Sequence, residues 1–187
     1  AFAEAEMLAA PALISVIDPK SSARSFYNWA VNESRAHRIS VLVPDANHDN
    51  ISLYYDFEIE QVENYLKELF DLWWESSDQI SIRLFENILS LILGGPSSSE
   101  LIGSPGATTI IIDVDGEIQS HDVLRTCVDH VGSQPLNVRS NEISEMFKND
   151  LYKEVNLDAG HASDVCKRCS VFTFCKGGFV SHRYSSI

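Results

Sequence analysis

Three cysteines near the carboxyl end of the sequence have the chemistry and spacing of metal ligands. Two residues separate Cys166 from Cys169, and five more separate Cys169 from Cys175. Thiolates bind iron–sulfur clusters or zinc far better than they bind hard cations. Both centres need four ligands, so either His182 completes the site or the fourth ligand lies outside these 187 residues. Three unconnected thiols, or one disulfide, are the simpler alternative.

Spacing alone does not choose between iron–sulfur and zinc. A structural zinc site usually shows two pairs of ligands, and the second pair is missing here. Gly177 and Gly178 follow the last cysteine and would let the backbone curl close to an inorganic centre, although glycine pairs also mark ordinary turns.

A second group of polar side chains follows a predicted strand at residues 38–44. In barrels and open α/β sheets, chemistry is placed at the carboxyl ends of the strands. Asp45, His48 and Asp49 are therefore candidate catalytic residues, which could hold a substrate or accept a proton. The alternative is a turn rich in Asp and Asn that only caps the next element.

The elements that must position these groups alternate between strand and helix. Apolar, β-branched runs predict strands at 13–17, 38–44 and 79–85. Helices are predicted to start at Asp18-Pro19, to span 57–75, and to span 86–93. The helix at 57–75 has an apolar stripe of Ile59, Val62, Leu66, Leu69 and Trp73. Successive strand–helix units imply a parallel sheet.

Glycine, serine and proline dominate residues 94–108, which predicts a linker. We expect a first domain at 1–95, a linker at 96–107 and a second domain at 108–187. The second domain should open with a hairpin whose two-residue turn is Asp115-Gly116.

A short amphipathic helix is predicted at 141–149, ahead of the cysteines. It would place Ile143, Met146 and Phe147 on one face.

Charge and composition exclude some partners. The formal charge of -13 would repel nucleic acid and an anionic membrane surface, whereas a basic or neutral peptide would be attracted. No apolar run approaches the ~20 residues of a membrane span. The four unevenly spaced cysteines are unlike the framework of a secreted disulfide-rich domain, so we expect a reducing cytoplasm.

The cysteine spacing, together with Gly116 upstream and the Gly177-Gly178 turn, resembles the SPASM domain that follows the barrel of many radical S-adenosylmethionine (SAM) enzymes. Other segments are similar to the subgroup that matures ribosomal peptides, which includes the cyclophane-forming enzymes. These segments are residues 16–19 (VIDP), 42–49 (LVPDANHD), 69–74 (LFDLWW), 82–87 (IRLFEN), 93–97 (LGGPS) and 181–184 (SHRY).

The resemblance implies an α/β fold. Residues 1–95 would be the carboxyl-terminal strand–helix units of a partial (β/α)6 radical SAM barrel, followed by a small α+β SPASM domain that is incomplete at its carboxyl terminus. Such enzymes hold a [4Fe–4S] cluster with a Cys-x3-Cys-x2-Cys loop, which these residues lack. The chain alone is therefore not expected to be active.

The resemblance also implies cofactors and partners. These are SAM, the radical SAM [4Fe–4S] cluster bound elsewhere, and one auxiliary [4Fe–4S] cluster on Cys166, Cys169 and Cys175. Ile17 and Val43, at the strand ends, would help wall the SAM pocket. A precursor peptide and a reductase or flavodoxin-type electron donor would be partners.

Two departures from the family pattern predict that a further auxiliary cluster is absent. Where SPASM domains with two auxiliary clusters have cysteine ligands, this sequence has His121 and Phe179.

The leading hypothesis is thus a radical SAM enzyme that joins an aromatic ring to a side-chain carbon of a precursor peptide. The alternatives are a non-catalytic peptide-binding scaffold with a structural zinc or iron–sulfur site, and a radical SAM enzyme of another reaction, such as sulfatase maturation.

Overall fold

The computed structural model describes residues 11–78, 80–103, 109–119, 124, 126–127, 136–148, 152–153 and 162–185, without the side chains of residues 53 and 54. These residues form two compact units. One contains the described residues up to Pro44 together with Asp56–Ser90, and the other contains Asp45–Tyr55 and the described residues from Leu91 onward. Among the described residues, no helix is both long and apolar enough to cross a bilayer.

The first unit is built on a parallel three-stranded sheet in the order β1-β2-β3, which confirms the predicted strand–helix alternation. The strands are β1 (Ala12–Val16), β2 (Arg38–Leu42) and β3 (Ser81–Ile82). The helices are α1 (Ala23–Asn28), continued by a π-helical turn at Trp29–Glu33, then α3 (Ile59–Glu75) and α4 (Arg83–Ile92); α2 (Ile51–Tyr54) belongs to the second unit.

The sheet of the first unit has a covered face and an open face. Ile39, Val41 and Ile82 are buried in a core that they share with residues of α1 and α3. Ile14 and Val16 of β1 are 77% and 59% exposed. Since successive side chains of a strand point to opposite faces, these two apolar residues mark the open face.

The first helix starts later than Asp18-Pro19, so that prediction is wrong. Asp18 instead closes a turn, with Oδ1 accepting a hydrogen bond from Lys20 N (3.0 Å). The helix begins at Ala23, where the Oγ of Ser22 accepts from Ser25 N (3.1 Å). Ser22 is thus the N-cap.

Helix α3 matches its prediction except at its first turn. A capping box formed by Glu58 and Gln61 starts the helix at Ile59. Leu69 is 0% exposed, as its place in the apolar stripe predicts, whereas Ile59 is 68% exposed. Ile59 lies at the end of the helix, beyond the reach of the core, and its assignment to the buried stripe is wrong.

The third strand is much shorter than the predicted 79–85. Only Ser81–Ile82 pairs with β2, and α4 begins at the next residue. Leu84 and Phe85 are both buried in the core, which the helical turn allows and a strand would not. Gln79 lies outside the described residues.

The second unit contains an antiparallel sheet of β4 (Ile111–Ile112), β5 (Glu117–Gln119) and β6 (Leu136–Asn137). The predicted hairpin is present, but its loop has three residues. Asp113 N donates to Glu117 O at 2.9 Å and Gly116 N to Asp113 O at 2.9 Å, so Val114–Gly116 forms the loop.

The helix predicted at 141–149 is a 3₁₀-helix at Ile143–Lys148, and Asn149 lies outside the described residues. Met146 is buried, while Ile143 and Phe147 are exposed. A 3₁₀-helix has three residues per turn, so Phe147 no longer shares a face with Ile143 and Met146; this geometry does not explain the exposure of Ile143.

Part of the predicted linker, residues 104–107, and the start of the predicted second domain at 108 also lie outside the described residues. The limits of the two domains stay a prediction.

Candidate functional site

Cys166 and Cys175 of the predicted metal site lie on two single-turn helices, Asp164–Lys167 and Phe172–Cys175, and Cys169 lies in the segment between them. Cys166 and Cys175 are half-buried and Cys169 is exposed, and all are free thiols. Cys169 N donates to Cys166 O at 2.9 Å, which fixes the first pair in one turn. In the part of the chain that the structure describes, no three His, Cys, Asp or Glu side chains are gathered as a metal-ion site.

The surroundings of the cysteines fit an anionic thiolate centre in three respects. The donors are of one soft type. Lys167, Arg168 and Lys176 are all exposed between or beside the cysteines, and residues 166–176 contain no acidic residue, although the formal charge of the protein is -13. A Cβ added at Gly178 would lie 3.7 Å from Cys175 Sγ, so glycine leaves this side of the sulfur open.

Gly103 forms a backbone hydrogen bond with the helix Phe172–Cys175, which carries the last of the three cysteines. Its N–H donates to Cys175 O at 3.0 Å. Its φ is +66°, and an added Cβ would lie 2.6 Å from the Cδ atoms of Leu91 and 2.9 Å from Phe174 O. Residue 103 therefore has room only for glycine.

Replacing Gly103 with alanine is expected to lower the free energy of unfolding by about 2–4 kcal/mol, from left-handed backbone strain plus a backbone clash. Gly94 is a matched control, because its φ is +83° and an added Cβ would meet no atom within 4 Å. Gly94→Ala should cost only about 1 kcal/mol. Urea denaturation of both variants measures the difference, and equal losses would contradict the close packing at Gly103.

The predicted catalytic residues lie in one loop that two asparagines organise. Asn47 and Asn50 are buried and bond each other's backbone, with Asn47 N donating to Asn50 Oδ1 (2.7 Å) and Asn50 N to Asn47 Oδ1 (2.9 Å). Asp45 and Asp49 are half-buried and His48 is exposed. An Asx-rich turn is also present, because Asn47 Oδ1 accepts hydrogen bonds from Asp49 N (3.0 Å) and Asn50 N. Helix α2 starts directly after Asn50, whose side chain makes no capping hydrogen bond.

This loop packs on two distant segments of the second unit, which the sequence did not predict. Asn47 Nδ2 donates to Thr126 O at 2.9 Å, and His48 N donates to Tyr184 O at 3.1 Å. The turn Ser181–Arg183 places His182 Nε2 3.9 Å from Asp45 Oδ1. We call these segments, residues 45–50, 126–127 and 181–184, the loop–tail junction. Its contacts span up to 137 positions, and no local pattern could have revealed them.

Burial changes the protonation of the groups at the loop–tail junction. It lowers the pKa of the His182 imidazole, which the Asp45 carboxylate opposes, so His182 is neutral near pH 7. It raises the pKa of the Cys127 thiol, partly offset by hydrogen bonds from Thr126 and Asn47. Burial thus favours the protonated form of this half-buried thiol.

The two residues predicted to wall the SAM pocket differ in environment. Ile17 is 4% exposed and belongs to the core between sheet and helices, and Val43 is half-buried. On β1, the residues of the open face are Ile14 and Val16, which sequence reasoning missed. Their alternation with Leu13 was the signal that could have found them. His121 lies outside the described residues, whereas the ring of Phe179 packs edge-on against His182.

Comparison with known proteins identifies relatives that match part of the chain. No protein-family model matches the sequence. A cysteine-type anaerobic sulfatase-maturating enzyme of Clostridium perfringens (strain 13 / Type A) is 28% identical over 127 residues, which are 66% of this chain and 33% of the relative. The enzyme of the same name from Clostridium novyi (strain NT) is 27% identical over 128 residues. The chain thus spans about a third of the length of these relatives.

Solved structures share the fold. Native anSMEcpe with bound AdoMet superposes with a TM-score of 0.69 at 22% identity, over 90% of this chain and 46% of that one. A structure of the same protein with AdoMet and the Cp18Cys peptide gives the same TM-score. Streptococcus suis SuiB bound to S-adenosylmethionine gives 0.54 at 12% identity, over 94% of this chain and 44% of that one. The fold of this chain is therefore that of the carboxyl-terminal part of radical SAM proteins with a SPASM domain.

Proposed function

We propose that the chain is the carboxyl-terminal part of a radical SAM peptide maturase. The observation that carries the proposal is the fold, which is shared over 90% of the chain with an AdoMet-bound structure. A peptide substrate is supported by the structure of that protein with a bound peptide. The sulfatase-maturating relatives point to a protein or peptide substrate as well.

Two of the proposed cofactors, SAM and the auxiliary cluster, have candidate residues in this chain. When bound, SAM and its [4Fe–4S] cluster supply a 5′-deoxyadenosyl radical that removes a hydrogen atom from the substrate. Cys166, Cys169 and Cys175 would hold one auxiliary [4Fe–4S] cluster. Ile14 and Val16, on the open face of the sheet, are better placed than Ile17 to line an apolar pocket wall.

The exposed cations beside the cysteines support an electron-donor partner. Lys167, Arg168 and Lys176 form a positive surface on an acidic protein, and an acidic donor of the flavodoxin type would be attracted to it. The four cysteines are free, which supports a reducing, cytoplasmic setting.

The finer proposal is a crosslink between an aromatic ring and a side-chain carbon of the peptide. Forming this bond removes two hydrogens. The deoxyadenosyl radical would supply the acceptor for one hydrogen atom, and a base would take the other as a proton. The auxiliary cluster that Cys166, Cys169 and Cys175 would hold would supply the oxidant for the remaining electron. Asp45, His48 and Asp49 are the candidate groups that orient the peptide and accept the proton.

A second candidate reaction is sulfatase maturation. It is favoured by the higher TM-score and identity of the sulfatase-maturating relatives, 0.69 and 22% for anSMEcpe against 0.54 and 12% for SuiB. The third candidate, a non-catalytic scaffold with a structural metal, needs no radical chemistry.

Anaerobic assay of the full-length protein separates the three functions. After reconstitution with iron and sulfide, a maturase should show broad visible absorption and release 5′-deoxyadenosine from SAM under a chemical reductant. Two synthetic peptides then discriminate the reactions, one carrying a sulfatase cysteine segment and one carrying closely spaced Trp and aliphatic residues. Loss of two hydrogens from the second peptide supports crosslinking, and modification of the cysteine peptide alone supports sulfatase maturation. A colourless, zinc-bound protein that leaves SAM intact would overturn both.

A further inference from the structure

The surroundings of His182 could not be predicted from its position in the sequence. Its Nε2 atom is buried and has no hydrogen-bond partner among the described residues. The same atom lies 3.9 Å from Asp45 Oδ1, about 1 Å longer than an N–H···O hydrogen bond. A buried polar atom without a partner is costly, and its presence in a folded protein calls for an explanation.

The imidazole ring packs against an aromatic side chain, and the turn that carries it is tied to the Asp45 loop. The ring of Phe179 packs edge-on against it, with centroids 5.4 Å apart and planes at 81°. The backbone bond from His48 N to Tyr184 O, 3.1 Å long, ties the turn Ser181–Arg183 to the Asp45 loop. The ring contact restrains the imidazole, and the backbone bond restrains the turn that carries it.

The charge states favour an interaction between the two side chains. His182 is kept neutral by burial, so one ring nitrogen donates and the other accepts. The tautomer with a proton on Nε2 can donate to the carboxylate of Asp45 once the two atoms approach by about 1 Å. Such a hydrogen bond would satisfy the buried nitrogen and fix the direction of the carboxylate.

We propose that His182 is a positioning residue for Asp45, which holds the Asp45 carboxylate in one orientation toward the peptide, and that it is not the fourth ligand of the cysteine site. The proposal rests on the proposed function for its catalytic consequence, since Asp45 is a candidate proton acceptor there. The contact between the two side chains does not rest on it.

The first test uses the full-length enzyme and five variants, one of which is a double variant. His182→Leu should lower peptide product formation by ~10- to 100-fold, as expected for loss of a supporting hydrogen bond, with kcat falling more than KM. His182→Gln keeps a donor and should stay within about 3-fold of the native enzyme. Because His182 acts through Asp45, adding His182→Leu to Asp45→Asn should lower the rate no further than Asp45→Asn alone. Ser181→Ala is the matched control, since it removes a neighbouring buried hydroxyl that has no partner among the described residues.

Iron content decides the second half of the proposal. His182→Leu should retain the iron and sulfide of the native enzyme. Loss of one cluster's iron from His182→Leu would overturn the claim that His182 is not a ligand. Full activity of His182→Leu, or independent losses of activity from His182→Leu and Asp45→Asn, would overturn its positioning role.

A second measurement does not depend on activity. His182→Leu should lower the urea midpoint more in the native background than in an Asp45→Ala background, where residue 45 has no side-chain acceptor. If the native enzyme fails to cleave SAM, the proposed function is wrong, and this comparison still tests the contact. An equal shift in both backgrounds would overturn it.

Discussion

Replacing Cys175 with alanine in the full-length protein is expected to remove the auxiliary cluster and lower peptide product formation by ~100-fold or more. Substitutions that only support a ligand already cost ~10- to 100-fold in metal affinity or activity, so loss of a ligand should cost at least as much. Cys175 is the best single target, because Gly103 donates to its carbonyl and Gly178 leaves space beside its sulfur. Iron and sulfide per chain and the visible absorption measure the cluster independently of activity.

Cys127→Ala is the matched control for this experiment. Cys127 is also a free, half-buried thiol, but burial raises its pKa and it contacts Ser181 O rather than the cysteine helices. It should retain the iron and sulfide of the native protein. If Cys175→Ala retains them as well, Cys175 is not a ligand and the metal assignment fails.

Leu69→Ala is expected to have the largest effect on stability, with a loss of ~2–5 kcal/mol in the free energy of unfolding. Leu69 is 0% exposed in the core of the first unit, where Leu66 and Phe70 of the same helix also pack. Truncation removes buried apolar surface and leaves a cavity that a rigid sheet and two helices fill only in part.

Ile59→Ala, on the same helix, is the control for Leu69→Ala. Ile59 is 68% exposed, so its truncation should change the free energy of unfolding by no more than ~0.5 kcal/mol. Chemical denaturation of the two variants gives the comparison. Similar losses at both positions would mean that helical periodicity, rather than the observed burial, decides which residues form the core.

Local patterns in the sequence were enough to predict the order of strands and helices in the first unit. Apolar runs of β-branched residues at 13–17 and 38–44 and the stripe of α3 are local properties, and the parallel sheet follows because a helix separates each pair of strands. The errors occurred where local signals compete. Arg83–Phe85 continues the apolar run of β3 and also begins the helical stripe of α4, and packing of Leu84 and Phe85 in the core selected the helix.

The types and spacing of Cys166, Cys169 and Cys175 are likewise fixed by the sequence, and so is the loop with Asp45, His48 and Asp49. The side chains and backbone groups that these residues contact cannot be read from the sequence. In the sequence, His182 was a possible metal ligand and part of the family-like segment 181–184, and neither relation connects it with Asp45.

Tertiary structure alone decided that the Asp45 loop belongs with the carboxyl-terminal unit, where His182 lies 3.9 Å from Asp45 and Asn47 bonds Thr126 O. The physical reason is the distance along the sequence over which each kind of signal acts. Periodicity and capping record which face of an element is apolar and where the element ends, over a few residues at a time. Which distant segments then share a buried junction depends on the packing of the whole unit. The sequence by itself therefore determined the chemistry available to this protein, and the fold decided which of its groups can act together.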